Sequence, residues 1–261
     1  MSGERIFLVD GGEGGVVDLV RATDLVVRNA GLPVALIGGL AVTCRLATVH
    51  RPTRDVDLVA ETSPDLVAEA GTVSANLISG GVARAAPDTA SVRLFVGDTK
   101  VEIIETERLD EIESAGIEPE RSRLFVVGHR WALESATSVS ISVTDTDVEV
   151  TVPVATASAL VAMKLHSIEG RSEDRKRASD AWDLFRLLDA HNTNGGITRT
   201  IAGGPEGLAS MVANALDQVF RSEVTRTRRW IYGYGDPEWV RVMTDDALAA
   251  LASEVVDGLT P

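Results

Sequence analysis

An aliphatic strand runs into two glycines and then a helix, and the next strand alternates acids with aliphatics. This pattern constrains the chain more than any other feature. It spans Ala35 to Val59, ALIGGLAVTCRLATVHRPTRDVDLV. Pro33 to Ile37 reads as the first strand, Gly38-Gly39 as the turn, Leu40 to Ala47 as the helix, and Asp55 to Ala60 (DVDLVA) as the second strand. Successive strand side chains point to opposite faces, so Asp55 and Asp57 share one face while Val56 and Leu58 take the other. Strands alternating with helices predict an α/β (α+β) fold. Glycines at a helix start let backbone amides approach an anion at the helix's positive end. Two neighbouring carboxylates repel unless something cationic lies between them, and a hard cation such as Mg²⁺ suits acidic oxygens beside a phosphate. Glu102, central in the strand KVEII, offers a third carboxylate from a neighbouring strand.

Around this unit the coarse pattern is mixed and then helical. Val16 to Asn29 reads as an amphipathic helix ended by Gly31, preceded by a flexible glycine-rich lead-in at residues 11–15. A short helix is expected at Asp65–Ala70 and a hairpin from Ser91–Val96 to Lys100–Glu105, turning at Gly97-Asp98. An irregular acidic stretch (Glu107–Arg121) precedes short strands at Arg123–Val127, Val139–Val143 and Val148–Val152. From Pro153 the pattern is helical. The expected organisation is a mixed-sheet domain over 1–152 and a helical region over 153–261 that completes the site. In the helix around LVAMKLHSI, Lys164 falls between Leu160 and Ile168 on an apolar stripe. In RKRASDAWDLFRLL, Asp180 lies between Leu184 and Leu187, and Asp183 sits at the stripe's margin. A lysine in such a stripe must snorkel, pair or hold an anion. A buried structural pair of Lys164 with Asp180 and a functional role both satisfy that requirement.

Composition removes several classes. A chain of 261 residues with 44% hydrophobic and 25% charged residues has the make-up of a globular protein rather than a disordered or fibrous one. Its single cysteine, Cys44, cannot form an internal disulfide, and it reads as a core residue rather than a nucleophile. The four histidines are scattered without zinc-ligand spacing. The opening residues carry no signal-peptide pattern and no apolar run approaches a bilayer span, so a cytoplasmic chain without a membrane partner is expected. The net charge of −14 argues against an all-over nucleic-acid coat. The charge is uneven, however: residues 1–150 hold 13 basic and 24 acidic residues, and the remainder 12 and 15. The basic clusters, Arg171 with Arg175-Lys176-Arg177 and Arg221 with Arg226, Arg228 and Arg229, all lie in the second half.

The glycine pair, the short helix and the Asp-x-Asp strand resemble the signature of the DNA polymerase β-like nucleotidyltransferase superfamily. More narrowly, IGGLAV…RPTRDVDLV is similar to the AbiEii/MenT-like toxin branch, whose pattern is h-G-G-x-A…R-x-T/S-x-D-h-D. The later lysine in Met-Lys-Leu and the acids of the following helix also match that branch. The resemblance is close over roughly residues 33–60 and 154–190, looser over the sheet between them, and nearly absent from the last seventy. It implies metal-dependent transfer of an NMP from an NTP to an RNA acceptor, often the 3′ end of tRNA, by the toxin of a toxin–antitoxin system with a cognate antitoxin. Asp55, Asp57, Lys164 and Asp180 would be catalytic. Gly38, Gly39, Arg51, Thr53 and Lys164 would hold the nucleotide. Mg²⁺ or Mn²⁺ would sit on Asp55 and Asp57, with Glu102 and Asp183 as further ligands.

Two other readings remain open at this stage. One is a nucleotidyltransferase acting on a small molecule such as an antibiotic, and the other a non-catalytic nucleotide-binding protein. The segment RTRRWIYGYG (225–234) mixes basic and aromatic residues as a single-strand-binding surface does. It equally fits a Trp230 packed into the helical core with its arginines in solvent.

Overall fold

A computed structural model describes residues 4–10, 15–61, 72–85, 93–106, 120–233 and 243–260. The chain divides into two units. The first comprises residues 1–115 and 132–156, the second 116–131 and 157–261.

The first unit is built on one mixed sheet. Its strands are β1 (Glu4–Leu8), β2 (Val34–Ile37), β3 (Asp55–Glu61), β4 (Arg84–Ala85), β5 (Arg93–Val96), β6 (Thr99–Thr106), β7 (Thr137–Val143) and β8 (Glu149–Val154). They lie in the order β1-β7-β8-β2-β3-β6-β5-β4. All four residues of β2 are buried, as a central strand covered on both faces requires. β3 runs antiparallel to β2 and parallel to β6. Three helices belong to this unit: α1 (Val16–Asn29), α2 (Gly38–Leu46) and α3 (Val73–Ser79). The Thr72 hydroxyl caps α3 by accepting from the Ala75 amide at 3.1 Å. Val56, Leu58, Val101 and Val152 are fully buried between strands and helices. The guanidinium of Arg45, at the end of α2, is buried. It donates to the carbonyl oxygen of Ala155 at 2.8 Å and to that of Val154, and pairs with Glu4 at 2.7 Å.

The second unit is helical: α5 (Ala157–Gly170), α6 (Asp174–His191), α7 (Gly196–Ala202), α8 (Leu208–Asp217), α9 (Val224–Tyr232) and α10 (Asp245–Leu259). A wide helical turn, Gln218–Ser222, joins α8 to α9. Trp182, Phe220, Leu160, Leu165 and Leu184 fill its core. Most of the remaining helix, α4 (Glu120–Glu134), also belongs here.

Helix α4 corrects the strand expected at Arg123–Val127. The short apolar run LFVV suits either state. The buried residues Leu124, Val127 and Trp131 recur at helical spacing, and that period decides. β1 and α3 were not anticipated. Helix α2 begins at Gly38, so the glycines form its first turn rather than a turn before it. The helix expected at Asp65–Ala70 and most of the acidic stretch at 107–121 lie outside the described residues.

Candidate active site

The residues singled out in the sequence fall into two side-chain groups, one in each unit. In the first unit the alternation of β3 holds Asp55 and Asp57 half-buried on one face while Val56 and Leu58 anchor the other. Register places Asp57 beside Ile37, the last residue of β2, and beside Glu102 of β6. The Gly38 backbone has φ +68°, a left-handed conformation that glycine adopts without strain. A Cβ at Gly38 would lie 2.7 Å from Asp57 Cβ and would also strike its Oδ2. The glycine is therefore what lets the aspartate lie against the start of α2. A Cβ at Gly39 would meet Arg51 Nη2 at 2.7 Å and Thr53 Oγ1 at 2.9 Å. Gly38, Gly39, Arg51, Thr53 and Asp57 thus converge on the first turn of a helix. No side chain caps that turn, so its amides keep their capacity to bind an anion.

The cation demanded by the crowded acids is partly supplied by the protein itself. Lys100 Nζ lies 2.6 Å from Glu102 Oε1 and 3.5 Å from Asp55 Oδ2, and Arg93 Nε is 3.0 Å from the same Glu102 oxygen. Burial lowers the Lys100 pKa, but the hydrogen bond and charge of Glu102, together with Asp55, outweigh it and hold the ammonium above its usual range. Sequence reading passed over Lys100. Its signal was present, since a residue two before Glu102 on a strand shares its face.

In the second unit Lys164 is buried and pairs with both acids of α6. Its Nζ is 2.7 Å from Asp180 Oδ1 and 2.7 Å from Asp183 Oδ2. Arg171 Nε lies 2.7 Å from the other Asp180 oxygen. Asp183, placed at the stripe's margin by helical arithmetic, is fully buried. Of the two readings of Lys164, the ion pair is present, and it does not preclude a functional role. Among the described residues no three His, Cys, Asp or Glu side chains gather as a metal-holding group. The acid pair on β3 nonetheless offers hard oxygen donors beside an ammonium stand-in, which fits a divalent cation. Cys44 is buried in the last turn of α2, and burial, aided by Glu4 and opposed by Arg45, pushes its thiol to about 12. That is far from a nucleophile's range.

A family model described as "Nucleotidyl transferase AbiEii toxin, Type IV TA system" matches residues 22–202, more than half of the chain. The chain belongs to the AbiEii nucleotidyltransferase toxin family. It is a nucleotidyltransferase with a mixed α/β fold, and the family match covers both side-chain groups. Among solved structures it is similar to an antigenic nucleotidyltransferase-like protein from Paracoccidioides brasiliensis, at 14% identity and TM-score 0.49, covering 81% of this chain and 92% of that one. It is also similar to ANT(2")-Ia in complex with adenylyl-2"-tobramycin, at 14% identity and TM-score 0.42, covering 78% and 96%. No curated protein matches the sequence. Among the described residues no helix is long and apolar enough to cross a membrane.

Proposed function

We propose that this nucleotidyltransferase moves an NMP from an NTP to an RNA acceptor, in the manner of a toxin countered by a cognate antitoxin. The observation that carries the reading is the convergence of Asp57, Arg51 and Thr53 on the two glycines that open α2. Backbone amides of that first turn bind phosphate oxygens, and Arg51 adds a fork of donors to them. Thr53 contributes a hydroxyl to the same anion. Asp55 and Asp57 would hold Mg²⁺ or Mn²⁺, which, when bound, supplies Lewis acidity at the α-phosphate. The acceptor's hydroxyl oxygen bonds to the α-phosphorus. The bond from that phosphorus to the bridging oxygen breaks, and pyrophosphate leaves with the electron pair. The hydroxyl proton passes to an aspartate of the pair and on to water.

Glu102 is assigned as a further acid of this site, engaged by Lys100 and Arg93 until the substrate arrives. Lys164 is assigned to offset substrate charge, with Asp180 orienting it and Asp183 holding the ammonium from its second side. The reaction is placed in the cytoplasm, where NTPs and tRNA meet. Incubating the protein with each radiolabelled NTP, Mg²⁺ and either total RNA or purified tRNA tests the proposal. Label in tRNA is the expected outcome. Label appearing only in a small molecule would overturn the acceptor assignment, and unchanged labelling by Asp57→Ala would overturn the site.

A further inference from the structure

A cavity of about 340 Å³ opens within the second unit, walled by α5, α6, α9 and the wide turn before α9. Its half-buried aromatic wall is Trp230, in the segment that sequence alone left between core packing and nucleic-acid binding. The Arg226 guanidinium lies 4.9 Å from the Trp230 ring centroid and that of Arg177 5.5 Å. Ile168 and Val219 give the cavity an apolar lining. Two acceptors complete it: Glu169 from α5, and Glu223, which takes a bond from Gln218 at 2.8 Å and pairs with Arg226 at 3.3 Å.

We infer that this cavity holds one unstacked base of a single-stranded RNA, with preference for bases bearing an exocyclic amine. The indole and the guanidinium groups that line the cavity are both groups that stack on nucleobases. The volume falls within the range of small-ligand sites and suits one base with its ribose. Carboxylates on the lining accept from the amino group of cytosine or adenine, whereas uracil presents a carbonyl at that position. Arg177 also lines the cavity, and its Nε–H is buried without a hydrogen-bond partner among the described residues. Arg229, next to Trp230 in sequence, and Arg175, two residues before Arg177, are exposed and form no ion pair among the described residues, leaving them to phosphates. Because α9 lies beyond residue 202, the match to the family model does not extend to this wall. The inference rests on the RNA-acceptor reading above and assigns where part of that acceptor is held.

The test titrates fluorescein-labelled oligo(C), oligo(A) and oligo(U) RNA against the full chain by fluorescence anisotropy, with CTP and ATP as mononucleotide competitors. Oligo(C) and oligo(A) are expected to bind more tightly than oligo(U). Trp230→Ala is expected to weaken them about 5- to 150-fold, the equivalent of about 1–3 kcal/mol per stacked base. Trp230→Phe should retain most of the affinity. Arg226→Met, a substitution of a largely exposed side chain, should weaken binding at least about threefold without affecting the fold. Unchanged binding by folded Trp230→Ala or by Arg226→Met, equal affinity for oligo(U), or binding of mononucleotides alone would each overturn the assignment. Label transfer to RNA with unaltered Trp230→Ala affinity removes the pocket and leaves the enzyme reading intact. Trp230-dependent oligonucleotide binding without label transfer to any RNA removes the acceptor reading and leaves the pocket.

Discussion

Replacing Gly38 by alanine separates the contribution of the glycine turn to folding from its contribution to chemistry. At φ +68° a side chain costs about 1–2 kcal/mol in backbone strain. The new methyl would also lie 2.7 Å from Asp57 Cβ, well inside a carbon–carbon contact, and relieving such overpacking costs about 1–3 kcal/mol more. A loss of about 2–5 kcal/mol corresponds to a fall in Tm of about 4–20 °C for a chain of this size. The relief must move Asp57, and misplacing a reacting group by about 1 Å can lower the rate about 100-fold. Nucleotide transfer measured below the melting range should therefore drop much further than the folded fraction does. Gly39→Ala is the control. Its φ is not left-handed, and the atoms nearest to its methyl would be the ends of the Arg51 and Thr53 side chains. It should cost less than about 1 kcal/mol in stability and act mainly by raising KM for the NTP. A Gly38→Ala protein that melts within about 1 °C of wild type and transfers at the wild-type rate would refute the reasoning.

Asp55→Ala and Asp57→Ala should abolish transfer while leaving the circular dichroism melt near that of wild type, since both side chains are half-exposed. Lys164→Ala is expected to differ, because removal of the ammonium leaves Asp180 and Asp183 as buried, adjacent carboxylates. It should lose about 3–5 kcal/mol by urea denaturation as well as activity, so stability must be read beside any rate. His129 supplies a pH signature. Burial lowers its pKa to about 4, opposed by the bond from Nδ1 to the Phe125 carbonyl and aided by His166. The unfolded chain takes up this proton near pH 6.5 and the folded one only near 4. This contribution is therefore intact above pH 6.5 and is lost as pH falls toward 4, by about 3 kcal/mol in all. Urea midpoints across that window should show the loss, and His129→Leu should flatten it.

The helix at Val16–Asn29 and the strands around the acid pair were legible because each carries a clean period and a glycine at its end. The partnership of Lys164 with Asp180 was legible as one of two readings, since helical arithmetic puts both on apolar stripes. Local pattern does not record which acid lies on which side of the ammonium, so Asp183 read as marginal although it is fully buried. The strand expected at 123–127 failed because four apolar residues in a row fit both periods, and burial of Trp131 further along settled the matter. β1 was hidden because its register is set by β7, more than a hundred residues away. The Trp230 cavity depends on side chains from α5, α6 and α9 converging, a tertiary fact that the order of residues in RTRRW does not contain.

The ammonium of Lys100 has a consequence for how the enzyme rests. With Arg93 it already sits among the carboxylates of β3 and β6, so a lone metal ion arriving from solution would find much of the attraction taken. These half-exposed pairs are worth about 1 kcal/mol or less each and exchange readily. On the proposed reading, a triphosphate that escorts the ion would bring negative charge for the lysine to turn toward. On the function proposed above, the idle protein is thereby self-neutralised, and fuel and ion would gain admission together.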